Sequence, residues 1–126
     1  MSTRKEFGDW QTPIGLAKRV TALVSQLYGK PEVVIEPTCG LGAFLAASRS
    51  TWAGDVTYRG YEVNGDYVAK ANELLGTLGV EVVQRDFFGE DWQANVAGYK
   101  KDKVLVIGNP PWVTNSALGQ FGGSNL

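Results

Sequence analysis

The chain has 126 residues, with 12 lysines and arginines against 13 acids, a formal net charge of −1 and a hydrophobic fraction of 44%. That suits one ordinary globular domain and shows no overall basic face of the kind a complete DNA-binding unit presents, which does not count against a catalytic half whose DNA contacts lie elsewhere. No run approaches the roughly 18 apolar residues of a membrane span. The charged start, Met1 to Glu6, has no apolar stretch behind it, so it is no signal peptide, and a cytoplasmic location is expected. A single Cys39 and the absence of histidine exclude a disulfide framework and nearly exclude zinc sites and histidine acid–base chemistry; no metal ligands are assigned.

Residues 1–10 are polar with two aromatics, Phe7 and Trp10. Thr12-Pro13 reads as the N-cap and first position of a helix. Leu16, Val20, Leu23, Val24 and Leu27 follow at helical spacing, and Gly29 and Pro31 end it. Glu32 to Glu36 is a short β-branched strand. Residues 42–49 suit a helix opening at a glycine-rich turn. Val56 to Glu62 is a second strand, broken by Gly60. Asp66 caps a helix carrying Val68, Ala71, Leu74 and Leu75, which Gly76 and Gly79 close. Val80 to Arg85 is a third strand, residues 87–100 read as an aromatic-rich loop, and Val104 to Ile107 is a fourth strand. The tail from Gly119 to Leu126 is glycine-rich, without periodicity, and reads as a loop that is cut off. Strands alternating with helices argue for parallel βαβ units and an α/β sheet covered on both faces.

Two motifs carry chemistry. In Glu36-Pro37-x-x-Gly40-x-Gly42 a strand turns sharply into a helix. Glycines let the backbone come close to a ligand, the helix start offers free N–H groups, and doubly wound folds bind nucleotide-like ligands there. Glu36 would repel a pyrophosphate, but it suits a ligand with a cationic methionine end, such as S-adenosylmethionine. Gly-x-Gly without a third glycine is poor evidence for a dinucleotide oxidoreductase. Glu62 ends the second strand about 20 positions after Gly40, the spacing of a ribose-binding acid; an acid also ends many strands simply because it is solvated. Asp86-Phe87 ends the third strand, where a carboxylate could accept an adenine amino group while the ring packs on the base, or where a solvated strand end could adjoin a core phenylalanine. Asn109-Pro110-Pro111-Trp112 stands directly behind the fourth strand. Two prolines fix φ and remove two donors, so the asparagine and backbone carbonyls converge as acceptors. Acceptors suit an amine: holding its N–H bonds directs the nitrogen lone pair at a methyl donor, while Trp112 offers a stacking surface for a flat base. No strong general base is needed if the proton leaves late.

Together these residues resemble the amino-group DNA methyltransferases of restriction–modification systems, the N6-adenine type in particular, over nearly the whole chain. Phe7-Gly8-Asp9-Trp10-Gln11-Thr12-Pro13 is similar to the segment those enzymes close over the methionine part of the cofactor, which implies cofactor contacts from Phe7, Thr12 and Pro13. Glu36 to Phe44 is similar to their cofactor loop, implying roles for Glu36, Pro37, Gly40, Gly42 and Phe44. Glu62 resembles the ribose-binding acid, Asp86-Phe87 the adenine-binding pair, and Asn109 to Trp112 the catalytic tetrapeptide. The resemblance implies a Rossmann-like S-adenosylmethionine-dependent methyltransferase fold, cut to about four parallel strands in the order 3-2-1-4 with flanking helices.

On this reading residues 1–126 are one partial catalytic domain, with a cofactor-closing segment at 1–13, the cofactor and catalytic motifs at 32–112 and a truncated loop at 113–126. Members of the family continue with further strands and a DNA-reading domain, so DNA would be engaged through parts beyond this chain. Similar tetrapeptides occur in methyltransferases of RNA bases and of protein glutamines. The wholly apolar fourth strand, left as an edge, is expected to recruit a second copy or a complementing chain, and a non-catalytic assembly half-domain is the reading from a different class.

Overall fold

The computed structural model describes residues 11–109. Strands β1 (Val33–Glu36), β2 (Thr57–Glu62), β3 (Val80–Gln84) and β4 (Val104–Val106) form one sheet in the order β3-β2-β1-β4. Every pairing is parallel, with Ile35 between Arg59 and Val106 in register. This is the strand order the family resemblance implies. Central β1 is buried along its whole length, with Val33, Val34 and Ile35 at 0% exposure, as its unbroken apolar run demands of a strand covered on both faces. Side chains alternate across it. Val34 joins the larger core with Ala17, Leu45, Ala71 and Leu75, while Val33 and Ile35 meet Tyr61, Trp92 and Val96 on the other face.

Helices α1 (Ile14–Tyr28), α2 (Ala43–Trp52) and α3 (Gly65–Leu75) contribute to the first core, and α4 (Trp92–Val96) to the second. Several sequence expectations change. Helix α1 is capped by Pro13, in extended conformation and with no side-chain cap bond, not by Thr12. Its inward face is Ala17, Val20, Thr21 and Val24, while Leu16, Leu23 and Leu27 stay exposed; the small Ala17 and Thr21 are what the helix buries fully. Asn64, not Asp66, caps α3, because its Oδ1 reaches the N–H groups of both Asp66 (2.9 Å) and Tyr67 (3.3 Å). Gly60 does not break β2: it pairs with Glu36 on one side and Val82 on the other. Residues 87–100 are more ordered than a loop. A 3₁₀ turn, Phe87–Gly89, precedes α4, which Asp91 caps through the Ala94 N–H at 3.1 Å. Five helical residues are too few to show a period, so this helix was invisible in the sequence. Its Trp92 meets Tyr61 edge-on at 5.1 Å, covering the second face.

Strand β4 is one residue shorter than expected, although the Ile107 N–H still donates to the Ile35 carbonyl at 3.0 Å. Among the described residues β4 pairs only with β1, and Val106 is 58% exposed. No helix of the described residues is long and apolar enough to cross a membrane.

Candidate functional site

All four strands run the same way, so the segments that leave their C-terminal ends gather on one side of the sheet. Ligands of open α/β sheets sit outside those ends. The chain leaving β1 bends at once. The Cys39 N–H donates to the Tyr61 carbonyl (2.9 Å), and the Gly42 N–H closes a turn on the Cys39 carbonyl (2.8 Å). Gly40 and Gly42 take φ of +55° and +85°, a region that favours glycine. Space adds to this: a Cβ at Gly42 would lie 2.8 Å from Leu75 Cδ1, and one at Gly40 2.5 Å from Gln11 Oε1, so each of those side-chain ends would have to shift.

Glu36 and Glu62 hold this turn from below. Glu36 is 2% exposed, and its Oε1 accepts from the Leu45 N–H at 3.3 Å. Its carboxyl thus sits at the N-terminus of α2, where unsatisfied N–H groups and the helix dipole favour an anion. Burial nevertheless pushes its pKa well above the usual carboxylate range; the N–H groups of Leu45 and Phe44 pull it down, and the charge of Glu62 pushes it further up. Desolvation therefore outweighs the helix. Glu62, 8% exposed, accepts from the Gly40 N–H through Oε1 (2.8 Å) and from the Asn64 N–H through Oε2 (2.9 Å). A carboxylate has about four lone-pair sites, so acceptor capacity remains on both oxygens.

Asp86 is exposed and caps the following 3₁₀ turn through the Phe88 N–H at 3.0 Å. Phe87 is half-buried, 5.6 Å from the Trp92 ring and 5.1 Å from Phe88, and its carbonyl accepts from Trp92 Nε1 at 3.2 Å. Phe88 is the open ring of the pair, at 64% exposure. At the end of β4 the backbone carbonyl of Asn109 accepts from Thr38 Oγ1 at 3.4 Å, and a Cβ on Gly108 would stand 3.2 Å from Glu36 Cγ. The segment leading into the tetrapeptide therefore touches the segment that leaves β1. Phe44 lies in the core at 5% exposure, so what it offers the site is its backbone N–H. Pro37 and Thr12 are half-buried, and Pro13 is exposed. Phe7, Pro110, Pro111 and Trp112 lie outside the described residues. Among the described residues no group of three or more Cys, Asp or Glu could hold a metal ion.

The structure thus brings Glu36, Gly40, Gly42, Glu62 and Asn109 to one place, with Asp86 and Phe87 at the next strand end. Sequence reasoning missed three participants. Asn64 carried the signal of an amide at a helix start. Gly60, alone inside a strand, carried the signal of a close approach. Gln11 lay inside the segment read as closing over the cofactor, but nothing marked that its Oε1 accepts from the Leu41 N–H at 3.0 Å from 30 residues away.

This architecture is the Rossmann-like fold of S-adenosylmethionine-dependent methyltransferases. An RNA methyltransferase from Salinibacter ruber, solved in complex with S-adenosyl-L-homocysteine, superposes with a TM-score of 0.57 at 20% identity, over 90% of this chain and 67% of that one. In sequence the chain is similar to the Type II methyltransferase M.NspV of Nostoc sp., with 39% identity over 127 residues. That alignment takes in 98% of this chain and 26% of the relative, so the chain spans about a quarter of that protein's length. No family model matches the chain.

Proposed function

We propose that the chain is the cofactor-binding and catalytic part of an S-adenosylmethionine-dependent methyltransferase that modifies the N6 amino group of adenine in DNA. The observation that carries the reading is Glu36, a buried carboxylate at the N-terminus of α2. A nucleotide fold that binds pyrophosphate keeps that position open for phosphate. Here an acid fills it, its pKa raised chiefly by burial, with the charge of a second acid, Glu62, adding to the rise. Such a site repels phosphate and attracts a cation. The cofactor supplies a methyl group on a positively charged sulfur.

Each residue then has a task. Glu36 holds the cationic end. The turn at Gly40 and Gly42 lets the backbone approach. Glu62 offers its remaining lone pairs to ribose hydroxyls, Asp86 accepts from the cofactor's adenine amino group with Phe87 against the ring, and Phe7, Thr12 and Pro13 close over the methionine part. Asn109 and the carbonyl beside Pro110 accept the N–H bonds of the target amine, Pro111 keeps that segment rigid, and Trp112 stacks on the flipped base. Similarity to a Type II methyltransferase supports a place in restriction and modification.

Calorimetry with S-adenosylmethionine and with NAD tests the cofactor. The chain binds the former more tightly, and Gly42→Val abolishes binding because it forces a β-branched residue into a left-handed position where its Cβ would lie 2.8 Å from Leu75 Cδ1. Tighter binding of NAD overturns the reading. Radiolabelled methyl transfer to DNA, RNA and protein by the full-length enzyme separates the substrates. Asn109→Ala lowers transfer on the order of 10²-fold, as loss of a positioning group does; an unchanged rate removes Asn109 from the mechanism.

A further inference from the structure

Two consecutive amides of the cofactor turn are held by side chains from opposite sides of it in sequence. The Gly40 N–H goes downstream to Glu62 Oε1 (2.8 Å), and the Leu41 N–H goes upstream to Gln11 Oε1 (3.0 Å). The upstream contact is close. A Cβ added at Gly40 would meet Oε1, Nε2 and Cδ of Gln11 at 2.5, 2.9 and 3.0 Å, so the whole amide group lies against the Gly40 Cα. The bare α-carbon of Gly40 is therefore room for Gln11 as well as freedom for its own backbone. Gln11 itself has little slack. Two residues later Pro13 caps α1 with its carbonyl bonded to the Ala17 N–H (3.1 Å), and Ala17 and Thr21 fix that helix in the core at 0% exposure. The acceptor is also neutral. A carboxylate at this position would bring a third acid toward Glu36 and Glu62, whereas an amide satisfies the Leu41 N–H without adding charge.

We infer that Gln11 is a positioning residue: it latches residues 11–13, which lead into α1, onto the cofactor turn, so that the turn's binding shape and the placement of those residues are set together. The inference rests on the proposed cofactor reading, which assigns the ligand to this turn. Its physical content is that the Leu41 amide, one residue ahead of the N-cap of α2, keeps its orientation only while Gln11 accepts from it.

The test uses the 126-residue chain, wild type, Gln11→Met and Gln11→Glu. Methionine keeps the length of the side chain and lacks the acceptor; glutamate keeps the acceptor. Amide hydrogen exchange read by NMR comes first. In Gln11→Met the Leu41 amide exchanges at least about tenfold faster while the Gly40 amide, held by Glu62, changes little; Gln11→Glu restores protection at Leu41. Titration with S-adenosylmethionine comes second. Affinity falls roughly three- to tenfold in Gln11→Met, the range expected of one neutral hydrogen bond, and recovers at least in part in Gln11→Glu. In the full-length enzyme the loss falls on KM for the cofactor, with kcat at saturation within about twofold. Unchanged Leu41 exchange in Gln11→Met overturns the latch. Faster exchange with unaltered cofactor affinity overturns the positioning role. If the wild-type chain binds no S-adenosylmethionine, the cofactor reading and the positioning role both fail, and the exchange measurement still decides whether Gln11 holds the turn.

Discussion

Replacing Gly60 with alanine should destabilise the fold from the middle of its sheet. Gly60 sits in β2 between Glu36 of β1 and Val82 of β3. Its backbone conformation accepts any residue, so the effect is one of space. The new Cβ would stand 2.7 Å from Cys39 Sγ, 2.7 Å from Leu45 Cδ1 and 3.2 Å from Cys39 Cβ. Ordinary carbon contacts are about 3.5–4.0 Å, so two neighbours must each give way by close to 1 Å. Neither can move into solvent, for Leu45 is 0% and Cys39 5% exposed. Overpacking of this kind costs about 1–3 kcal/mol, and removing a glycine from a strand returns roughly 0.5–1 kcal/mol. The net expectation is a loss of about 1–2 kcal/mol in urea unfolding, with an unchanged slope. Cys39→Ala combined with Gly60→Ala removes one of the two clashes, so the pair costs less than the sum of the single changes, a coupling on the order of 1 kcal/mol. Because Cys39 belongs to the turn proposed to hold the cofactor, Gly60→Ala should also weaken S-adenosylmethionine binding. An unfolding midpoint equal to the wild type's would refute the argument that this glycine exists to admit Cys39 and Leu45.

Glu62→Gln turns one carboxylate oxygen into an amide nitrogen that faces the N–H of Gly40, which is buried, or of Asn64, which is partly buried; the donor that loses its acceptor costs up to about 1–3 kcal/mol, and thermal unfolding at pH 7 that matches wild type would show that neither bond contributes. Glu36, with its pKa raised by burial, holds a proton more firmly folded than unfolded, so the folded state binds more protons and stability falls as pH rises. Its contribution is complete below the ordinary value near 4.5 and is lost as pH rises through the raised folded value. Glu36→Gln flattens that slope in denaturation curves measured across this window, and parallel slopes would remove Glu36 as the source. We propose that the chain associates through the outer edge of β4, which pairs with no strand among the described residues; light scattering at micromolar concentration should then show species larger than the 13.6 kDa chain. Val106→Lys, at a 58% exposed position, reverses this association as edge lysines do, whereas a monomer in both proteins would show that the edge recruits nothing.

The sheet was legible in the sequence because parallel, doubly covered strands announce themselves as short apolar runs. Val33 to Ile35 and Val104 to Val106 needed no context. Strand order was not legible in the same way; nothing local says that β1 pairs with β2 and β4, and the order came from the resemblance. The acids were read at the right strand ends: Glu36 closes an apolar run, and Glu62 closes the mixed segment Thr57 to Tyr61. What they touch was not legible, because the bonds to Leu45 and Gly40 depend on how α2 leaves the turn. The caps show a subtler failure. Asp66 looked the better helix start by charge, yet Asn64 wins because its oxygen sits where two amides converge. On α1 the large residues Leu16, Leu23 and Leu27 suggested the buried face, and close packing selected Ala17 and Thr21 instead.

Cys39 is the chain's only cysteine. Burial holds its thiol well above the usual thiol range, and the charges of Glu36 and Glu62 push it the same way. The reactive form of a cysteine is the thiolate, so this one is shielded twice, by packing and by its retained proton. Its backbone is also docked, the N–H bonded to the Tyr61 carbonyl at 2.9 Å. A labelling reagent must therefore wait until the loop undocks from β2; fraying at the surface is not enough. That makes thiol modification a stopwatch for the loop: its rate counts local openings with no enzymatic assay and no engineered labelling site. A molecule seated in the turn slows the stopwatch in proportion to its occupancy, so a dissociation constant can be read from labelling rates alone.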